Sequence, residues 1–120
     1  MRETEFRINN LIKDRIGRVC YVEAIEYDKQ EGYSIKAWPK KGGGQVSLPF
    51  EPIPLTEEIL LKCGFEYDGD GIYGVDNVYY DFYFSKTGVV VRGLNNKIYH
   101  LHQLQNLYFA LTGEELTIKL

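Results

Sequence analysis

Apolar and polar positions alternate through most of this chain and switch to helical spacing in only two places. Arg7 to Ile12 reads as a short strand and turn. After Gly17, the segment Arg18 to Tyr27 is rich in β-formers, and Asp28-Lys29-Gln30-Glu31-Gly32 has the length and composition of a hairpin loop. Beyond it, Tyr33, Ile35 and Ala37 alternate with Ser34, Lys36 and Trp38. Pro39 to Gly44 is a loop. Val46-Ser47-Leu48-Pro49-Phe50 predicts a third strand, placed at an edge or cut short because Pro49 has no amide hydrogen to donate. Short strands this closely spaced predict a small SH3-like β-meander over residues 1–55.

The stiff Pro52-Ile53-Pro54-Leu55 segment leads into the first helical pattern. Thr56 is a good N-cap, and Glu57 and Glu58 lie in the first turn, where the positive end of the helix dipole favours them. Leu55 and Leu60 occupy the positions of a hydrophobic staple. Gly64 is placed to end the helix in a left-handed conformation, with Phe65 packing back on Leu60.

From Phe65 the two-residue period returns. Asp68-Gly69-Asp70-Gly71 predicts a turn between short strands. Val78, Tyr80, Phe82 and Phe84 fall on one face of the next strand, with Tyr79, Asp81, Tyr83 and Ser85 on the other. Turns at Lys86-Thr87-Gly88 and Asn95-Asn96-Lys97 continue an antiparallel meander whose apolar face needs a cover. The second helical pattern supplies one: Leu101, Leu104, Tyr108 and Leu111 follow three-four-three spacing, Leu107 widens the stripe, and Gln103, Gln105 and Asn106 lie mostly off it. Gly113 ends this helix, and alternating Leu116, Ile118 and Leu120 predict a last strand closing the sheet. The expected fold is α+β: an N-terminal SH3-like β-meander, a short helix, then an antiparallel sheet covered by a C-terminal helix (residues 56–120), all within one domain of 120 residues.

Composition changes this picture little, except in its aromatics. Ten Tyr and six Phe stand against one Trp and one Met, which favours strands. The net charge is −3; residues 1–60 carry nine Lys/Arg and ten Asp/Glu, and residues 61–120 carry five and seven. Neither half has the basic balance expected of a duplex-DNA or anionic-membrane binder. Cys20 and Cys63 are far apart and each sits in an apolar stretch, so they read as buried free thiols of a reducing compartment. Met1-Arg2-Glu3-Thr4-Glu5 lacks the apolar core of a signal peptide, and no apolar run is long enough to span a bilayer. A cytoplasmic protein is expected.

Candidate chemistry is thin. Asp68, Asp70 and Asp76 suggest a calcium loop, but the fifth and twelfth positions of an EF-hand would hold Ile72 and Tyr79, and Asp-Gly pairs are what tight turns require. His100 and His102 could share a strand face as metal ligands; a helix starting between them would splay the rings, and no Cys is near in sequence. In Lys40-Lys41-Gly42-Gly43-Gly44-Gln45 the lysines precede the glycines and a strand follows, the reverse of a phosphate loop. Glu57/Glu58 and Glu114/Glu115 are neighbours that diverge, unlike an acid/base pair across a cleft. No nucleophile motif is present. The expectation is a protein that is not an enzyme and takes no cofactor or metal.

The binding candidates are Tyr73, Tyr79 and Tyr83 with Arg92 nearby in the meander. Exposed, such a set suits the centre of a protein interface, where Tyr and Arg are enriched. It could also stack single-stranded bases, although the acidic balance opposes that. Buried, it is core.

Two segments carry a resemblance. Glu51-Pro52-Ile53-Pro54-Leu55-Thr56-Glu57-Glu58-Ile59-Leu60-Leu61-Lys62-Cys63-Gly64-Phe65, together with Tyr99-His100-Leu101-His102-Gln103-Leu104-Gln105-Asn106-Leu107-Tyr108-Phe109-Ala110-Leu111-Thr112-Gly113-Glu114-Glu115-Leu116, resembles a family of small uncharacterised proteins of bacteriophages, prophages and mobile elements of gut Bacteroidetes. The motifs cover about a third of the chain. Ile59 and Cys63 stand where such sequences often look like Trp and Phe. The resemblance implies a phage or mobile-element context and an intracellular protein, with no established activity or site. The functional expectation is a non-catalytic protein-binding accessory protein engaging a host factor; the alternative is a single-stranded nucleic-acid-binding module using Tyr79, Tyr83 and Arg92.

Overall fold

A computed structural model of the chain describes residues 6–46, 50–85, 88–94 and 97–120. The chain divides into two units, Met1–Ile53 and Pro54–Leu120, with the boundary inside the Pro-Ile-Pro-Leu segment. The architecture is α+β: a three-stranded antiparallel sheet, a five-stranded antiparallel sheet and two helices, one of them near the C-terminus. No helix among the described residues is long and apolar enough to cross a membrane.

In the first unit, β1 (Leu11–Lys13), β2 (Val19–Asp28) and β3 (Gly32–Pro39) pair in sequence order. The register sets Ile12 opposite Cys20 and Val22 opposite Ala37, and these four with Val46 form the buried cluster. A register shift between Val22 and Ala24 bends β2 beside that cluster. The β1–β2 turn is organised by Asp14, whose carboxylate accepts hydrogen bonds from the Ile16 amide (3.1 Å), the Arg18 amide (2.8 Å) and Arg18 Nε (2.7 Å). At the β2–β3 hairpin, Asp28 accepts from the Gln30 amide at 2.7 Å, and Gly32 supplies a φ of +80°. Single bridges join Lys13 to Glu51 and Ala37 to Val46. Among the described residues this is a three-stranded antiparallel sheet with two added bridges, and nothing in it is specific to the SH3-like expectation. Of the strand expected over Val46–Phe50, Val46 makes a bridge only, and Ser47 to Pro49 lie outside the described residues.

The second unit opens with α1 (Glu57–Lys62), capped as its sequence predicts. The Thr56 hydroxyl oxygen accepts from the Ile59 amide at 3.2 Å. At the other end Gly64 has φ +85°, its amide donates to Leu61, and the Phe65 amide donates to Leu60, the paired bonds of a Schellman motif. Five strands follow in meander order: β4 (Glu66–Tyr67), β5 (Ile72–Val75), β6 (Val78–Ser85), β7 (Gly88–Val91) and β8 (Lys97–Ile98). The turn positions Lys86-Thr87 and Asn95-Asn96 lie outside the described residues, as do Met1 to Glu5. Helix α2 (Leu101–Thr112) packs against β6 and ends at Gly113, φ +75°. Its entry is closed by the Gln103 side chain, whose oxygen accepts from the amides of Tyr99 (2.8 Å) and His100 (3.1 Å).

Two expectations for this end of the chain need correction. Residues 115–120 form no strand; instead Leu116 is buried and the Lys119 amide donates to the Lys62 carbonyl at 3.0 Å, so the tail is tied to the end of α1. The face that α2 buries is also rotated from the predicted stripe. Leu101, His102, Leu104 and Gln105 are buried, whereas Leu111 is exposed, so the cover is fullest over the first turn and a half.

Candidate functional site

The register of the second sheet sorts the sequence-predicted site residues onto different faces. Tyr73 is paired with Phe82, and cross-strand partners share a face. That is the core face: Tyr73 is buried, with its ring 5.0 Å from Tyr67 and edge-on to Phe84 at 5.5 Å. Of the candidate set Tyr73, Tyr79, Tyr83 and Arg92, Tyr73 therefore lies in the core. Burial is one reason its phenol holds its proton unusually well, but the first is a hydrogen bond with the Glu57 side chain; together they push it up to about 12. Tyr83 lies on the opposite face, half-buried between Ile72 and Val90. Tyr79, near the start of β6, is 96% exposed. Arg92 follows β7 opposite Asp81, with Nη1 3.5 Å from Oδ2 and its amide donating to the Asp81 carbonyl.

What the structure does bring together is the corner where β4, β5 and the start of β6 meet. The β4–β5 turn is built by its own residues: Asp68 accepts from the Asp70 amide at 3.0 Å, and the Tyr67 hydroxyl oxygen accepts from the Gly71 amide at 3.1 Å. Gly69 and Gly71, with φ of +99° and +82°, make the path possible. The Asp-Gly-Asp-Gly segment is thus engaged as a turn. At the far end of β5, a register shift between Tyr73 and Val75 falls at Gly74, and Asn77 turns the chain into β6 with φ +68°. Between these devices lies an open groove of about 490 Å³. Three tyrosines line it, Tyr67, Tyr79 and Tyr80, all of them exposed. Four carboxylates share its walls: Glu66, Asp68, Asp76 and Asp81.

No protein-family model, curated protein or solved structure matches this chain.

The groove has a signature in the sequence. Residues 63–85 contain five carboxylates and five tyrosines without one Lys, Arg or His. Counted by unit, residues 54–120 carry nine Asp/Glu against five Lys/Arg, while residues 1–53 carry eight against nine. Counting by equal halves conceals this asymmetry.

The other candidates resolve separately. His100 and His102 flank the start of α2, as expected, but their rings do not splay. They stack at 5.8 Å with planes 12° apart, and His102 is fully buried. Among the described residues, no group of three or more His, Cys, Asp or Glu side chains is placed to hold a metal ion. Both thiols are free and buried. Burial pushes the Cys63 thiol up to about 12, and burial together with the Asp14 charge raises that of Cys20, so neither is poised as a nucleophile.

Proposed function

We propose that the protein is a non-catalytic protein-binding module, an accessory protein of a phage or mobile element that engages a host factor in the bacterial cytoplasm. The observation that carries the reading is Tyr79, a large amphipathic ring 96% exposed at a groove that also presents Tyr67 and Tyr80. Exposed tyrosines supply much contact area for little conformational entropy, which is why they are enriched at protein interfaces. Two buried free thiols suit a reducing compartment. Nucleic acid is the poorer partner: Arg92 already faces Asp81, and the groove walls carry carboxylates that repel phosphate.

The test is affinity capture from host lysate with the wild-type protein and with Tyr79→Ser, both checked for folding by circular dichroism. A partner retained by the wild type and lost with Tyr79→Ser supports the proposal. Identical captured sets would count against it.

A further inference from the structure

We infer that the groove between β4, β5 and β6 takes a basic peptide segment, an arginine side chain lying against the Tyr79 ring with its guanidinium drawn to Glu66 and Asp76. This rests on the protein-binding reading and names the chemistry of the partner. Cations bind the faces of aromatic rings through the ring quadrupole. Here Tyr79 is 96% exposed and lines the hollow, so one whole ring is available there.

The carboxylates divide by what already engages them. Asp68 is tied to its own turn and Asp81 faces Arg92. Glu66 and Asp76 are both exposed, and no hydrogen bond or ion pair among the described residues engages either carboxylate. Both line the groove, and residues 63–85 hold no Lys, Arg or His to neutralise them. A field of one sign over a concave surface attracts the opposite charge and steers its approach.

The spread of the carboxylates selects among cations. A metal ion needs ligands that converge on a point, and no such group of three exists among the described residues. An arginine head is planar, presents donors on two edges and stacks on aromatic rings, so it can use carboxylates that do not converge on a point together with an exposed tyrosine. Acidic peptides and nucleic acids meet repulsion at the same walls.

The test uses the full chain and three capped peptides of equal length: one with three Arg, one with Gln at those positions and one with Glu. Amide chemical shifts locate binding, and fluorescence anisotropy at low and physiological salt measures it. The Arg peptide should perturb amides within residues 64–81 and bind more weakly as salt rises. The double substitution Glu66→Gln/Asp76→Asn should weaken it about three- to tenfold, two partly exposed ion pairs being lost. The charge-matched Glu23→Gln/Glu31→Gln should leave it unchanged, and the Gln and Glu peptides should leave the groove amides unmoved. Equal perturbation by the Gln peptide would overturn the cationic inference while leaving the protein-binding reading intact. Equal weakening by the Glu23/Glu31 variant, an unresponsive groove with the Arg peptide, or the same shifts with calcium chloride alone would each overturn it as well. Loss of partner capture with Tyr79→Ser reports on the protein-binding reading independently of all these outcomes.

Discussion

Phe82 and Tyr79 are three residues apart on one strand, and replacing each measures what the second sheet does with its two kinds of aromatic. Phe82 is 1% exposed, and its ring meets Phe65 edge-on at a centroid distance of 5.0 Å, 83° between planes. It is paired with Tyr73 on one side and Val91 on the other, so β6 presents it at the middle of the sheet. Truncation to Ala should cost about 3–5 kcal/mol, comparable to the whole stability expected of a unit this small. Phe82→Leu is the measurable step. It keeps an apolar side chain but loses ring volume and the edge-to-face contact, which together come to about 1–3 kcal/mol. Tyr79→Ala removes a ring that stands in water and should change stability by less than about 0.5 kcal/mol.

Both helices lie in residues 54–120, so the helical far-UV signal in a urea titration reports on this unit, while fluorescence of the single tryptophan, Trp38, reports on the other. With a urea slope of roughly 1 kcal/mol/M for a small unit, Phe82→Leu should lower the far-UV midpoint by about 1–3 M. Tyr79→Ala should leave it in place. Equal shifts for the two variants would refute the assignment of faces on β6, and with it the placement of the groove.

The remaining predictions concern a cap, a close approach and two kinds of buried acid. Thr56→Ala removes the hydroxyl that accepts from Ile59 and should destabilise the protein by about 1 kcal/mol in the same titration; no change would mean the cap is not formed in solution. Gly88→Ala would place a Cβ 2.9 Å from Tyr99 Cδ1 and 3.0 Å from the Ile98 carbonyl, so a loss of about 1–3 kcal/mol is expected in thermal melts, and a neutral result would contradict the β7–β8 packing. In an alkaline spectrophotometric titration, the phenol missing from Tyr73→Phe should be the one ionising near 12. Because the folded state holds that proton more tightly, its contribution to stability is complete below the ordinary tyrosine pKa near 10.0 and is lost as pH rises through about 12; a missing phenol that titrates near 10.0 instead would refute the contact with Glu57. Cys63, its thiol pushed up to about 12 by burial, and Cys20 should react with a disulfide reagent at neutral pH only after denaturation; immediate labelling of the native protein would place them at the surface.

The sequence by itself determined the local elements, because their causes are local. Thr56 before Glu57 and Glu58, and Gly64 before Phe65, specify one short helix through bonds that span no more than five residues. The period of two through Val78–Ser85 and the positive-φ glycines of the Asp-Gly-Asp-Gly turn locate strands and a hairpin in the same way. Only the tertiary structure decided which aromatic goes where. Alternation says that Tyr79 and Tyr83 share a face, but the pairing of Tyr73 with Phe82 depends on a register shift at Gly74, and a one-residue slip exchanges the faces of a strand. The same limit applies to α2, where spacing predicts Leu111 inside and Gln105 outside. The buried face there is set by where β6 lies beneath the helix, a contact between segments far apart in sequence. The groove shows both sides. Its charge and tyrosine content are written plainly in residues 63–85, but only the pairing of β5 with β4 on one side and β6 on the other gathers Glu66, Asp76 and Tyr79 around one hollow.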